Sequence, residues 1–350
     1  MFEVLKAGLE TSVQDFPGRL GFWEQGFPPS GPIDAWSFRL ANLLAGNDVG
    51  AAGLECQFLG PTIRFERDCV IAVTGADMGT EVDGSPLPLW ESVAIRGGQV
   101  LSMGAARVGA RAYIAFSGGI DVPLVMGSRS TFHMAGVGGV DGHALKRGQH
   151  IPIGGGSGTT GWRVRQQCRP PLVATRRWEI EVVAGPNDDW IDSAGQERFL
   201  TSDWKLSGKN SRTGFRLEGP RWTFAKKATR KLPEHGQEPS NILDHGYPLG
   251  AINLAGQTPI ILVNDAPSTG GFINPYTVAT AAFWKLAQSR PGDIYRFHAV
   301  SLHDAQALRR RIDGLCTRTS LEQVSGVRDH APATPTRPWA SGRWHPKQIQ

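Results

Sequence analysis

Short alternating runs of apolar and polar residues dominate the chain. Residues 62–75 (TIRFERDCVIAVTG) alternate, stop at a glycine, and resume at TEVDG, where Asp83-Gly84 is a hairpin turn pair. ARAYIAFSGGI (110–120) and WEIEVVAGP (178–186) are further β-rich runs closed by glycine. PIILVNDAP (259–267) opens on a nearly continuous apolar stretch, the pattern of a core strand. Helical spacing is rarer. From Ile33 the apolar positions Ile33, Trp36, Leu40, Leu43 and Leu44 fall on one side before Gly46, with Ser30 as the cap and Pro32 in the first turn. Asp188 to Leu200 predicts one or two turns, and Thr277 to Gln288 an amphipathic helix ending near Arg290-Pro291. The pattern as a whole predicts a mainly β fold with a few short helices.

Two pairs of segments look alike. GLECQFLGPTIRF (53–65) resembles GFRLEGPRWTF (214–224), and residues 101–119 resemble 249–267 in the same order. They predict two related β-rich halves joined near residue 175, with a cleft between facing halves. The expected division is 1–175, 176–305 and a basic, flexible tail over 306–350.

Charge changes this picture little. The net charge is +5, but the tail from residue 306 carries eight basic residues against three acidic ones, so the body is close to neutral. A nucleic-acid binder concentrates its excess on the folded surface, so none is expected. No run of eighteen apolar residues exists, and no basic-then-apolar leader is visible. Cys56, Cys69, Cys168 and Cys316 are far apart and lack metal-ligand spacing, the usage of a reducing cytoplasm. His133, His143 and His150 also lack it, so no metal is expected.

The candidate chemistry lies in loops dense in Gly, Pro, Ser, Asp and Arg. Around Ser30 and Asp34 the residues read either as plain helix capping or as a polar wall for a carboxylated ligand. Arg129, between Ser128 and Ser130, either grips a carboxylate in fork fashion or closes a salt bridge. The stretch Asn210 to Gly214 contains Arg212, and a hydroxylic loop directly after the core strand contains Asp265, Ser268 and Thr269. Rigid scaffolds place working groups on such loops. Asp265 faces a ligand or closes an Asx turn. The Asn241 amide can donate and accept at once, which suits a urea or amide group. There is no GxGxxG after a strand, no phosphate loop, no nucleophile elbow and no Met-Lys-Met biotin site.

These stretches resemble one family. VQDFPGRLGFWEQGFPPSGPIDAWSFRLANLLAGN (13–47), GGIDVPLVMGSRSTF (118–132), TSDWKLSGKNSRTGFRLEGP (201–220), PSNILDHGYPLGAINLAGQTPIILVNDAPSTGGF (239–272) and FWKLAQSRPGD (283–293) are similar to the carboxyltransferase region of urea carboxylase. The same family holds Kip-type antagonists, called KipA or allophanate hydrolase subunit 2, and the C-subunit of bacterial 5-oxoprolinase. The resemblance covers residues 4 to about 300. It implies two cyclophilin-like β-barrel lobes and a carboxyltransferase-type subunit of a biotin-dependent system acting on urea or a related amide or guanidine. It implies a KipI-like partner, carboxybiotin brought by a biotin carboxylase and carrier, ATP used by a partner, and no covalently bound cofactor. Arg129, Arg212 and Asp265 are then the expected catalytic residues, with Arg129 or Arg212 clamping a carboxylate and Asp265 orienting substrate or taking a proton. Ser30, Asp34, Asn210, Asn241, Ser268 and Thr269 are the expected substrate contacts. Other branches imply lactam hydrolysis, as in 5-oxoprolinase, or a regulatory protein without catalysis. The chain departs from the urea carboxylase pattern at Gly136, Val137, Val140 and His143, which leaves the small amide open.

Overall fold

The computed structural model describes residues 1–324. Its N-terminal part is built from two antiparallel sheets. One runs, edge to edge, His150–Ile151, Phe2–Lys6, Thr62–Phe65, Val100–Ser102, Glu81–Val82 and Ser85–Pro86. The other runs Glu10–Gln14, Gly53–Gln57, Val108–Phe116, Cys69–Asp77 and Ser92–Ile95. Phe2, Val4, Ile63 and Phe65 of the first sheet share one buried cluster with Leu54, Ile71, Val73 and Ile114 of the second. The barrel expected for this half is thus two sheets enclosing a common core, and hydrogen bonding does not close them into a ring.

The Val108–Phe116 strand explains its own apolar sequence. One face enters that core, while Tyr113 and Ala115 meet Phe38 and Ala41 of the helix Ala35–Leu44 and Ala45 at its end. A strand covered on both faces reads as a continuous apolar run.

The C-terminal part contains a closed seven-stranded barrel. Its ring is Arg177–Ala184, Tyr276–Val278, Ala251–Ala255, Thr258–Leu262, Gly214–Glu218, Trp204–Asn210 and Ile294–Ala299. The last strand closes on the first in parallel, Trp178 opposite Tyr295 and Ile180 opposite Phe297. Trp178, Ile180 and Val182 point inward, two residues apart, as the pleat requires. Phe199 stacks at 4.5 Å on both Tyr276 and Phe297 inside this core.

Several expectations change. The predicted helix from Thr277 begins at Phe283, after a short turn at Thr280–Ala282, because Tyr276–Val278 is a barrel strand. β-Branched Thr277 and Val278 suit the strand better than a first helical turn. Residues 53–65 give strands in two different sheets, whereas 214–224 give one barrel strand. Residues 306–315, read as the start of the tail, belong to the fourteen-residue helix Leu302–Leu315, and Leu321–Gln323 pairs with Trp162–Val164. Ser301 caps that helix through the Asp304 amide. The tail beyond residue 324 lies outside the described residues. Among the described residues no helix is long and apolar enough to cross a membrane.

Candidate functional site

The two parts meet on a buried chain of charges. Glu55 stands in the Gly53–Gln57 strand, all of whose residues are buried. Arg212 and Asp265 come from neighbouring loops at one end of the barrel, where Gly214 pairs with Leu262 and the Asp265 amide donates to the Arg212 carbonyl. The Arg212 Nε and Nη2 donate to the two Asp265 carboxylate oxygens at 2.9 and 3.2 Å. Its Nη1 donates to Glu55 Oε1 at 2.5 Å, and Nη2 also to the Gly31 carbonyl at 2.7 Å. Glu55 Oε2 accepts from the Ile33 amide and the Tyr113 hydroxyl, each at 2.9 Å. Arg111 Nε stands 3.6 Å from Glu55 Oε1. Burial works against the Arg212 charge, but Asp265 and Glu55 outweigh it and hold the guanidinium above its ordinary value.

That geometry changes the expected roles. Arg212 is 3% exposed and its fork is filled by protein acceptors, so it has no open edge for a carboxylate. Asp265, also 3% exposed, faces Arg212 rather than a cleft. Arg129 donates to the Val122 carbonyl at 2.7 Å and to Asp121 at 3.1 Å, which leaves it tied to its own loop. The loop itself is gripped by Asp15, which accepts from the Ser128 and Ser130 hydroxyls at 2.5 Å and from the Arg129 amide at 2.7 Å. Asn241 lies in a separate two-stranded ribbon, Asn241–Gly246 with Thr269–Phe272, and bonds to none of Arg129, Arg212 or Asp265. Of the four residues expected to share a hollow, the structure joins only Arg212 and Asp265.

Ser30 is not the helix cap. Asp34 is, accepting from the Ser37 amide at 2.9 Å and the Ser37 hydroxyl at 2.6 Å. Gln288 reaches the same carboxylate at 2.9 Å. Burial raises the Asp34 pKa against these hydrogen bonds. Ser30 instead holds a left-handed backbone, φ 54°, with its amide on the Asn264 carbonyl.

An open cup of about 490 Å³ lies beyond this wall. Asn210 and Thr269, two of the expected substrate contacts, line it. Lys209, Arg216, Tyr247 and Asn253 line it too. Ser268 neighbours it, with its carbonyl taking the Tyr247 amide at 2.7 Å. No carboxylate is among its lining residues. Asn210 pairs with Phe215 and Leu206 with Leu217, and the register shifts between them, so Lys209 and Arg216 both lie on the irregular stretch of this hairpin. Neither side chain makes an ion pair or hydrogen bond among the described residues, and both are exposed. Two like charges lining one hollow repel. An anion in the cup removes that repulsion. Asn253 Oδ1, on a 4% exposed residue, also lacks a hydrogen-bond partner there.

Met134 of the N-terminal part, next to His133, reaches the edge of the cup. The Thr213 hydroxyl, from a cup-lining residue, donates to Met134 Sδ at 3.5 Å. His133 Nε2 is 3.5 Å from Glu10. Burial lowers the His133 pKa, with Glu10 acting the other way. Among the described residues no group of three or more His, Cys, Asp or Glu side chains is placed to hold a metal ion.

Glu55, Lys209 and Arg216 were missing from the expected site. A carboxylate inside the apolar run GLECQF was the readable sign of Glu55. Lys209 and Arg216 had none, since exposed cations on a hairpin are ordinary.

Comparison with known proteins agrees with this architecture. Residues 25–299 match the model for the carboxyltransferase domain, subdomain A and B. Urea amidolyase of Saccharomyces cerevisiae is 38% identical over 318 residues, which is 89% of this chain and 17% of that protein. The 5-oxoprolinase C-subunit of Escherichia coli is 35% identical over 314 residues, 89% of this chain and 94% of that protein. The crystal structure of the K. lactis urea amidolyase superposes with a TM-score of 0.85 at 37% identity, covering 93% of this chain and 20% of that one. The chain thus spans less than a fifth of the length of the Saccharomyces urea amidolyase.

Proposed function

The chain belongs to the carboxyltransferase family, related to urea amidolyase and the 5-oxoprolinase C-subunit, and from that premise we propose that it carries the carboxyltransferase-type site of a biotin-dependent system. The substrate we assign is a small amide of the urea or guanidine kind. Carboxybiotin delivered by a biotin carboxylase and carrier would supply the activated carboxyl group, with ATP spent by that partner. A KipI-like subunit would complete the site.

The observation that carries this reading is that Lys209 and Arg216 line the cup with no carboxylate among its lining residues. Lys209 and Arg216 anchor a carboxylate as it leaves one nitrogen for another, where charge develops on oxygen. Asn210 and Thr269 line the same cup and align the accepting nitrogen, with Ser268 beside them. We place Arg212 and Asp265 as the rigid wall that positions the loops on either side. Asp34, Arg129 and Asn241 support that frame. Ser30 belongs to the opposite side of the wall.

For the fold, we hold to two related cyclophilin-like lobes dividing near residue 175, the first an opened form of the second. A cytoplasmic site of action accords with four free cysteines.

One observation favours a second reading. The chain covers 94% of the E. coli 5-oxoprolinase C-subunit, a protein of nearly its own length. In that case the cup would hold a lactam and no biotin would take part. The deciding experiment mixes the full chain with a biotin carboxylase, its carrier and a KipI-like subunit. Labelled bicarbonate entering urea or guanidine, dependent on ATP and lost in Arg216→Glu, is the expected result. ATP-dependent ring opening of 5-oxoproline without biotin selects the second reading. Partner binding with no turnover on either substrate selects a KipA-like regulator.

A further inference from the structure

A second cavity, of about 460 Å³, lies on the far side of the Arg212–Asp265 wall. Asn264 lines it, while Pro267 and Thr269, just along the same loop, line the cup. The two hollows therefore flank a single loop. This one sits between the N-terminal loop with the Ala35–Leu44 helix and the 280–284 turn with the Leu302–Leu315 helix. Its volume is that of a small-molecule site.

Its walls are aromatic. Phe16, Trp23, Trp36, Phe283 and Trp284 all contribute. Trp36 meets Trp284 edge to face, centroids 6.0 Å apart at 87°. The ring planes offer flat apolar faces for a flat apolar body.

Several of its polar atoms are unmatched. Ser30 Oγ, Trp23 Nε1, Arg39 Nε and Asn264 Oδ1 are buried and lack a hydrogen-bond partner among the described residues. Arg19 also lines the cavity, is 1% exposed, and leaves its Nη1 without one. Buried polar groups are nearly always paired, so several exceptions around one hollow call for an explanation. Ser30 adds strain, since a left-handed backbone is costly for a residue other than glycine and persists where function holds it.

Donors outnumber acceptors in this set. Three are N–H groups, one is a hydroxyl that can do either, and one is an amide oxygen. Charge points the same way. At the mouth, Asp313 takes Arg39 at 2.6 Å and Arg309 at 3.6 Å, so two cations share one carboxylate there. Donors, surplus positive charge and aromatic walls together suit an anion with a flat apolar body.

We propose that this cavity binds an aromatic monocarboxylate, at a site distinct from the cup. Its ring lies among Trp23, Trp36 and Trp284, and its carboxylate takes the free donors. The test uses the full chain alone and reads no turnover, so it is independent of the carboxyltransferase reading. Phenylacetate is titrated while tryptophan fluorescence and heat of binding are followed. Phenylacetamide and acetate, which lack the charge and the ring respectively, serve as controls.

Saturable binding of phenylacetate, at least tenfold tighter than either control, is expected. Ser30→Ala should weaken it tenfold. Leu20→Asp should weaken it at least threefold, because Leu20 lines the cavity, is 61% exposed, and can take a negative charge without disturbing the fold. Arg216→Glu, in the cup, should leave it unchanged. No saturable signal at millimolar phenylacetate overturns the proposal. So does wild-type affinity in Leu20→Asp, or loss of binding in Arg216→Glu, which would move the ligand to the cup.

Discussion

The wall and the cup both hold charged residues, yet they treat charge in opposite ways. In the wall, Arg212 meets Asp265 and Glu55, and every edge of its guanidinium is spoken for. In the cup, Lys209 and Arg216 are both exposed and neither has an ion-pair partner among the described residues. Charges neutralised by protein fix geometry, and charges left open await a ligand. The loop residues with the most catalytic look in sequence fall in the first class.

The strongest way to break this contrast is to remove the guanidinium from the wall. Arg212→Met leaves Asp265 and Glu55 buried without a partner. Loss of one member of a buried pair costs about 3–5 kcal/mol. The urea midpoint should drop accordingly, or no folded protein should be recovered. Arg212→Lys should fail nearly as badly, since one ammonium cannot copy a planar fork that serves Asp265, Glu55 and the Gly31 carbonyl. A melting curve unchanged in either variant would dissolve the distinction.

The cup should answer in reverse. Arg216→Glu is a surface change, and its stability should stay within about 0.5 kcal/mol of the parent. Carboxyl transfer should fall by about tenfold to a hundredfold, equivalent to roughly 1.4–2.7 kcal/mol of transition-state stabilisation. Stability is read from urea unfolding and transfer from labelled bicarbonate. An Arg216→Glu protein that keeps its turnover would move the anchor elsewhere.

Asp34 tests whether the same logic holds at the helix start. Asp34→Ala removes the cap from the Ser37 amide and hydroxyl and from Gln288. The expected loss is about 0.5–2 kcal/mol. Asp34→Asn keeps an acceptor for the Ser37 amide and sheds the buried charge, so it should lose less. Thermal melts of the two variants side by side decide it.

How far the sequence could be read follows from range. Strands announced themselves because inward residues such as Trp178, Ile180 and Val182 repeat every second position. The single helix expected over 277–288 was too long because barrel closure at Tyr276–Val278 is a tertiary demand that local spacing does not carry. The site shows the same limit. Asn210 and Thr269 were read as polar loop residues, whereas they stand at strand ends that line the cup. What Arg212 does there depends on Asp265, 53 residues away, and Glu55, 157 residues away. No spacing rule links residues so distant. Ser30 and Asp34 were seen as a pair, but which one caps the helix depends on a left-handed Ser30 held by Asn264.

The smallest expected effect lies at His133, which stands between the two classes. It is half-buried, close to Glu10, and within the field of Arg212, Asp265 and His143. Burial lowers its pKa in the folded state below the ordinary 6.5, with Arg212 and His143 adding to that and Glu10 and Asp265 opposing it. A lowered value means the unfolded chain takes up the proton first as pH falls. Above pH 6.5 both states are neutral at this residue and its contribution is whole. Below 6.5 the unfolded state gains, and stability declines until the folded-state pKa is passed. Urea unfolding of the parent and of His133→Asn between pH 7.5 and about 5 should therefore diverge only below 6.5, with the parent falling faster. Identical slopes in the two proteins would show that burial does not hold the His133 pKa down in the folded chain.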